Sequence, residues 1–159
     1  MIAVPDSEDG LRRAIGEAQR RYTRRVNFRE GWRGHLWQGR FASCPMDERY
    51  LPAAARYIEQ NPVRARLAAR PWEYPWSSAR AHVAGRDDAL VTVAPLLKLV
   101  DHWEDFLCME TSEEEVKRLR RTERTGRPLG DESFTAAVER CLRRTLHRGK
   151  PGPKGCRAS

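Results

Sequence analysis

The sequence predicts an α+β protein with a mainly helical second half, and three observations lead to that class. Two short apolar stretches next to breakers, Ile2-Ala3-Val4 before Pro5 and residues 35–42 after Gly34, have the make-up of strands. Around them, apolar residues recur at three- and four-residue intervals, the buried stripe of amphipathic helices. Beyond residue 86 the apolar residues keep mostly helical spacing, without a further strand pattern.

A chain of 159 residues suffices for one domain plus an appendage but not for two full cores. The expected organisation is a first domain over 1–86, a helical and DNA-binding appendage over 87–147, and a basic disordered tail over 148–159. The formal net charge is +8 and the isoelectric point about 9.8, and only Lys98, Lys117, Lys150 and Lys154 among the cations are lysines. Arginine binds phosphate bidentately and stacks on bases, so the balance favours a nucleic-acid partner over arginine-biased coding alone. The excess is local: residues 11–40 hold nine arginines against Glu17 and Glu30. Cys44, Cys108, Cys141 and Cys156 form no Cys-x-x-Cys pair, which argues against a disulfide framework or zinc site and for a reducing cytosol. No signal peptide, apolar span or internal repeat is legible.

Ser7 is placed to cap a helix over 8–26, with Leu11, Ala14, Ile15, Ala18, Tyr22 and Val26 as its buried stripe. Its other face carries Arg12, Arg13, Arg20, Arg21, Arg24 and Arg25, either a solvated face or one that meets phosphates. Residues 31–34 break the chain, and 35–42 follow as the second strand. Trp37 and Arg40 on it suit stacking and phosphate pairing, though Trp37 equally suits a core. His35 has no partner histidine and reads as a hydrogen-bonded structural residue.

The chain is organised around Arg56-Tyr57-Ile58-Glu59-Gln60-Asn61-Pro62-Val63-Arg64-Ala65. The run 47–56 reads as a helix with Asp47 as N-cap, closed at Asn61-Pro62 because a residue before proline is driven out of the α region. Pro52 lacks a donor and shifts the helix start toward Leu51, where proline falls in the tolerated first turn. Tyr57, Gln60 and Asn61 then share one face, between Arg56 and Arg64. A phenol beside amide oxygens and guanidinium groups suits attack on a phosphodiester, with a hard metal ion balancing charge. The alternative is a tyrosine that only packs at a helix end.

Downstream, residues 70–78 hold two prolines and three aromatics and read as an extended aromatic clasp. Ser77-Ser78 leads into a short helix ended by Gly85. Two short helices are expected over 91–109, a charged helix from Thr111 or Ser112 to about 122, and a turn over 126–130. A last helix carries Phe134, Ala137, Val138, Cys141, Leu142 and Leu146 on one stripe. The final two resemble a small helical DNA-binding appendage. Residues 140–159 hold seven cations and no acid, a basic arm that includes Lys150 and Lys154.

Together with Gly34-His35-Leu36-Trp37-Gln38-Gly39-Arg40-Phe41 and Tyr74-Pro75-Trp76-Ser77-Ser78, the tyrosine stretch resembles the REP-associated tyrosine transposases, single-tyrosine enzymes of the His-hydrophobic-His class. The three motifs keep the family's order and spacing. The resemblance implies a remnant of a ferredoxin-like antiparallel sheet with packed helices, in which 35–42 pairs beside a histidine-bearing strand. It implies a phosphotyrosine intermediate on single-stranded DNA hairpins, with Tyr57 as the nucleophile. Asn61, and more weakly Gln60, would help two histidines hold Mg²⁺ or Mn²⁺. Arg20, Arg21, Arg24, Arg25, Trp37, Arg40, Arg56, Arg64, Lys150 and Lys154 would meet DNA. A full-length transposase subunit or a second copy is the expected protein partner.

Two departures qualify the implied activity. His35, His82, His102 and His147 form no His-x-His pair, and Met1-Ile2-Ala3-Val4-Pro5 looks like the tail of the strand that would carry one. The expectation is a transposase without its N-terminal third, cleaving DNA poorly or not at all alone, because one amide oxygen is too few for a stable Mg²⁺ site. A DNA-binding remnant and a decayed gene product are the alternatives. In addition, Pro52 replaces the family's usual aliphatic residue and Gln60 its usual leucine.

Overall fold

The computed structural model describes residues 1–39 and 41–146, which form two compact units, Met1–Ser43 and a second that starts at Cys44. The expected α+β class with an antiparallel, ferredoxin-like sheet is not what these residues adopt: among them there is no strand, and the chain is mainly helical. A lone extended segment leaves its N–H and C=O groups without a ladder, and the described residues supply neither Ile2-Ala3-Val4 nor 35–39 with a neighbour.

The first unit is one long helix, α1 (Gly10–Glu30), followed by a returning loop. Helix α1 outruns the expected 8–26 by about a turn and stops where Gly31 adopts φ 67°. Of its expected stripe only Val26 is buried; Leu11 and Ile15 are half-covered, and Ala14, Ala18 and Tyr22 are exposed. The loop returns because Gly34 takes φ 100° and Asn27 Nδ2 donates to the Gly34 carbonyl at 3.0 Å. Trp37 Nε1 then donates to Thr23 Oγ1 at 3.1 Å, and the Trp37 ring lies 5.9 Å from that of Tyr22. These ties hold onto α1 a segment whose sequence reads as a strand.

The second unit begins with a 3-10 turn, Glu48–Tyr50, capped by Asp47, whose carboxylate accepts from Arg49 N at 3.1 Å. Helix α2 (Leu51–Glu59) follows, with Pro52 in its first turn, where the missing N–H is not needed. Asn61-Pro62 interrupts the helix without turning the chain out of the α region. Gln60 stays helical at φ −78°, ψ −9°, and α3 (Asn61–Arg64) restarts with Pro62 in its own first turn. The exit passes through Arg66 at φ 58°.

Residues 70–78, expected as an extended aromatic clasp, instead contain a 3-10 turn, Pro71–Glu73, with Trp76 85% exposed, and lead into α4 (Ala79–Ala84), which Gly85 ends at φ 62°. Two short helices follow, α5 (Ala94–Leu97) and α6 (Trp103–Cys108). Helix α7 (Glu113–Thr125) starts with a reciprocal Ser112–Glu115 capping box, and α8 (Glu132–Leu142) starts at Asp131. None of α8 is fully buried, and Ala137, Cys141 and Leu142 of its expected stripe are exposed. Residues either side of 86 belong to this one unit.

An isolated parallel bridge, Met46 with Leu129, ties the start of the second unit to the α7–α8 turn. Asp47 N donates to the Leu129 carbonyl and Leu129 N to that of Pro45, both at 2.9 Å. Arg49 adds ion pairs to Asp47 and Asp131. The buried centre of this unit is Ala54, Ala55, Ala79, Ala81, Val93, Trp103, Leu107 and Leu129. Leu107, 2% exposed, contributes about 2 kcal/mol by burial. Among the described residues no helix is long and apolar enough to cross a membrane.

Candidate functional site

The α2–α3 junction brings Tyr57, Gln60, Asn61 and Arg64 together. Two consecutive helical turns point the 57, 60, 61 and 64 side chains the same way. Tyr57 is half-buried, and the Arg64 guanidinium carbon stands 4.3 Å from its ring centroid, a cation–π contact. Arg64 Nη2 donates to the Tyr57 carbonyl and, at 2.7 Å, to Asn61 Oδ1, while Nη1 donates to Gln60 Oε1 at 3.2 Å. The guanidinium thus caps the end of α2 and holds Tyr57 from both backbone and ring. Partial burial is the main cause that pulls the Arg64 pKa below its ordinary range; Tyr57 opposes the shift and neighbouring Arg120 adds to it.

Gln60 is a structural clamp. Its Nε2 donates to the Leu107 carbonyl at 2.8 Å and the Met109 carbonyl at 3.1 Å, and its Oε1 accepts from Thr111 Oγ1 at 2.9 Å as well as from Arg64. Every hydrogen-bonding site on this amide has a protein partner. The exposed Asn61 turns its Oδ1 to Arg64. The amides expected as metal ligands therefore face donors or a cation, and this donor set does not fit Mg²⁺ or Mn²⁺ as arranged. Among the described residues no cluster of three or more His, Cys, Asp or Glu could hold a metal ion.

Arg56 lies on the opposite side of α2 from solvent, 8% exposed. Its guanidinium stands 4.7 Å from the Phe106 ring centroid and 3.4 Å from Glu115 Oε2, so it packs α2 against α6 and α7. In the first unit, Glu17 takes up Arg20 in two bonds of 2.8 and 2.7 Å and Arg21 at 2.7 Å. Hydrogen bonds from Arg20 and then Arg21 lower the Glu17 carboxyl to about 2. Arg24 and Arg25 are exposed and form no ion pair among the described residues. Trp37, 46% exposed, is tied to Thr23. Arg40, Lys150 and Lys154 lie outside the described residues.

Sequence reasoning missed a buried polar cluster in the second unit. Glu59, 2% exposed, accepts from Ser78 Oγ, from Trp103 Nε1 at 2.9 Å, and contacts His82 Nδ1 at 2.7 Å. An ionised carboxylate only accepts, so in that state Nδ1–H of His82 donates to Glu59. His82, 4% exposed, stacks 4.8 Å from Trp103, and its buried Nε2 has no hydrogen-bond partner among the described residues. The signal was available: Glu59 follows Ala55 by four residues, so the alanine face of α2 carries one acid into the interior.

No family model, curated protein or solved structure matches this chain.

Proposed function

We propose that this chain is a transposase-like protein that binds single-stranded DNA hairpins and offers Tyr57 as the nucleophile of a nicking and rejoining reaction. The observation that supports this reading best is the half-buried Tyr57 at a helix end with an arginine guanidinium across its ring. In the reaction, the Tyr57 oxygen attacks a DNA phosphodiester, forms the phosphotyrosine bond and releases a 3′-hydroxyl. Rejoining reverses the transfer. Arg64 supplies positive charge beside the phosphoryl oxygens. Arg24 and Arg25, free of ion pairs among the described residues, give the first unit its phosphate-binding surface. The protein works in the cytoplasm on the nucleoid.

Mg²⁺ or Mn²⁺, which the family resemblance would call for, is not held by Gln60 and Asn61 in their present hydrogen bonds. The 159-residue chain accordingly binds hairpins and nicks them weakly or not at all. A histidine-bearing segment of a full-length transposase, or a second subunit, completes the site. The engagement of both amide oxygens by protein donors favours a second reading beside it, a DNA-binding remnant without catalysis.

The test is a labelled single-stranded hairpin with Mn²⁺, wild type against Tyr57→Phe. The expected result is salt-dependent hairpin binding by both proteins, with a covalent adduct only when a His-x-His segment is supplied and tyrosine is present. A hairpin bound no better than an unrelated duplex would sink the proposal. Binding with no adduct even in the completed system would leave the non-catalytic remnant.

A further inference from the structure

Beside the Tyr57 junction, a cleft of about 820 Å³ opens between the 60–72 segment and residues 104–116. Arg64, Arg70 and Trp72 line it on the first side, and Leu107, Met109 and Val116 on the other. We infer that this cleft takes one unpaired nucleotide of a DNA strand, its base between Trp72 and the apolar side and its phosphate at Arg64. The inference rests on the proposed DNA-binding reading and names the substrate group that would sit at Arg64, whose guanidinium contacts the Tyr57 ring.

Four observations carry it. Among the described residues Arg64 has no carboxylate partner: the atoms that hold its guanidinium are the neutral oxygens of Tyr57, Gln60 and Asn61. Three of its five N–H groups are used in this way, leaving Nε–H and one Nη1–H for an oxyanion. Partial burial and nearby Arg120 both pull its pKa down, and a bound anion would oppose that shift. Arg70 lies 5.8 Å over the Trp72 ring, a cation and an aromatic face on the same wall, the pairing that single-stranded nucleic-acid sites use.

Glu104 and Glu110 also line the cleft, and neither forms an ion pair with Arg64 or Arg70. Two carboxylates in the walls repel a chain of phosphates, so the cleft suits a single nucleotide and not a polyphosphate. Its volume is of the size that takes a small organic ligand.

The experiment titrates Tyr57→Phe protein, which cannot nick, with 5′-deoxycytidine monophosphate, and separately with inorganic phosphate. The readouts are calorimetry and NMR shifts of the Arg64 Nε–H and Trp72 indole N–H. Nucleotide binding is expected to shift both signals, to weaken about tenfold in Arg64→Gln or Arg70→Gln, and to vanish in Val116→Trp, which fills the cleft. Arg64→Gln removes a helix-end cap, so circular dichroism must match wild type before its result is used. Val116→Trp and Arg70→Gln carry the test independently of that cap. Unchanged nucleotide binding in both of these variants would overturn the inference. Phosphate binding as tight as the nucleotide's would overturn it too, leaving a bare anion site. Tyr57 chemistry is absent from this protein, so either result is separable from failure of the nicking reaction.

Discussion

His82 Nδ1 lies 2.7 Å from Glu59 Oε1 in the interior of the second unit, and the same carboxylate also accepts from Ser78 and Trp103. One acid on α2 thereby collects donors from the α4 segment and from α6. Removing it strands the buried His82 and Trp103 nitrogens and the half-buried Ser78 hydroxyl. Glu59→Ala is expected to destabilise the protein by about 3 kcal/mol or more in urea denaturation. Glu59→Gln, which keeps an acceptor, should cost less; equal midpoints for Glu59→Ala and wild type would show that the cluster contributes nothing.

Gln60 gives a second prediction, because its amide spans from the Tyr57 junction to the 107–111 segment. Gln60→Leu removes the donors to the Leu107 and Met109 carbonyls. A loss of about 1–3 kcal/mol is expected in denaturant unfolding. Mn²⁺ added to wild type should leave the Gln60 side-chain NMR signal unbroadened; selective broadening there would make Gln60 a ligand after all.

The apolar part of the interior is small, so single deletions should be felt strongly. Leu107 is 2% exposed and packs within the α6 segment that carries Trp103. Leu107→Ala is expected to cost about 2–5 kcal/mol, measured by the shift in the thermal or urea midpoint. Leu142→Ala, on the exposed end of α8, should change it by less than about 0.5 kcal/mol.

Acid should loosen the clip between the start of the second unit and α8. A side-chain hydrogen bond from Arg49, followed by backbone and Ser133 hydrogen bonds, pushes the Asp131 carboxyl far below the usual carboxylate range, and Arg49 lowers Asp47 as well. For depressed carboxyls the stabilisation is fully present above the unfolded pKa near 3.8 and is lost as pH falls through the folded values. NMR titration should place both carboxyls below that reference, and Arg49→Gln should move them back toward it. In the first unit, Glu17 should titrate near 2 where a free glutamate titrates near 4.5. An ordinary titration of Glu17 would mean that its arginine pairs are broken in solution.

Local signals carried much of the helical layout. The capping box at Ser112, the glycine stops at Gly31 and Gly85, and the first-turn tolerance of Pro52 are short-range effects of backbone geometry, and each is legible from a few neighbouring residues. So is the clustering of Tyr57, Gln60, Asn61 and Arg64, which follows from helical periodicity once proline restarts the helix in place.

What only the tertiary structure decided was which groups have partners. A strand exists through its neighbour, so 35–39, strand-like in composition, folds back on α1 through Asn27 and Thr23 because no ladder is offered. Arg56 reads as a twin of Arg64, yet one is buried against Phe106 and Glu115 while the other caps a helix beside a cleft. Gln60 and Glu59 are adjacent in sequence, and their roles diverge because one faces the 107–111 backbone and the other the donors of Ser78, His82 and Trp103. Those donors lie 19, 23 and 44 residues along the chain, a separation that helical spacing cannot encode and packing alone closes.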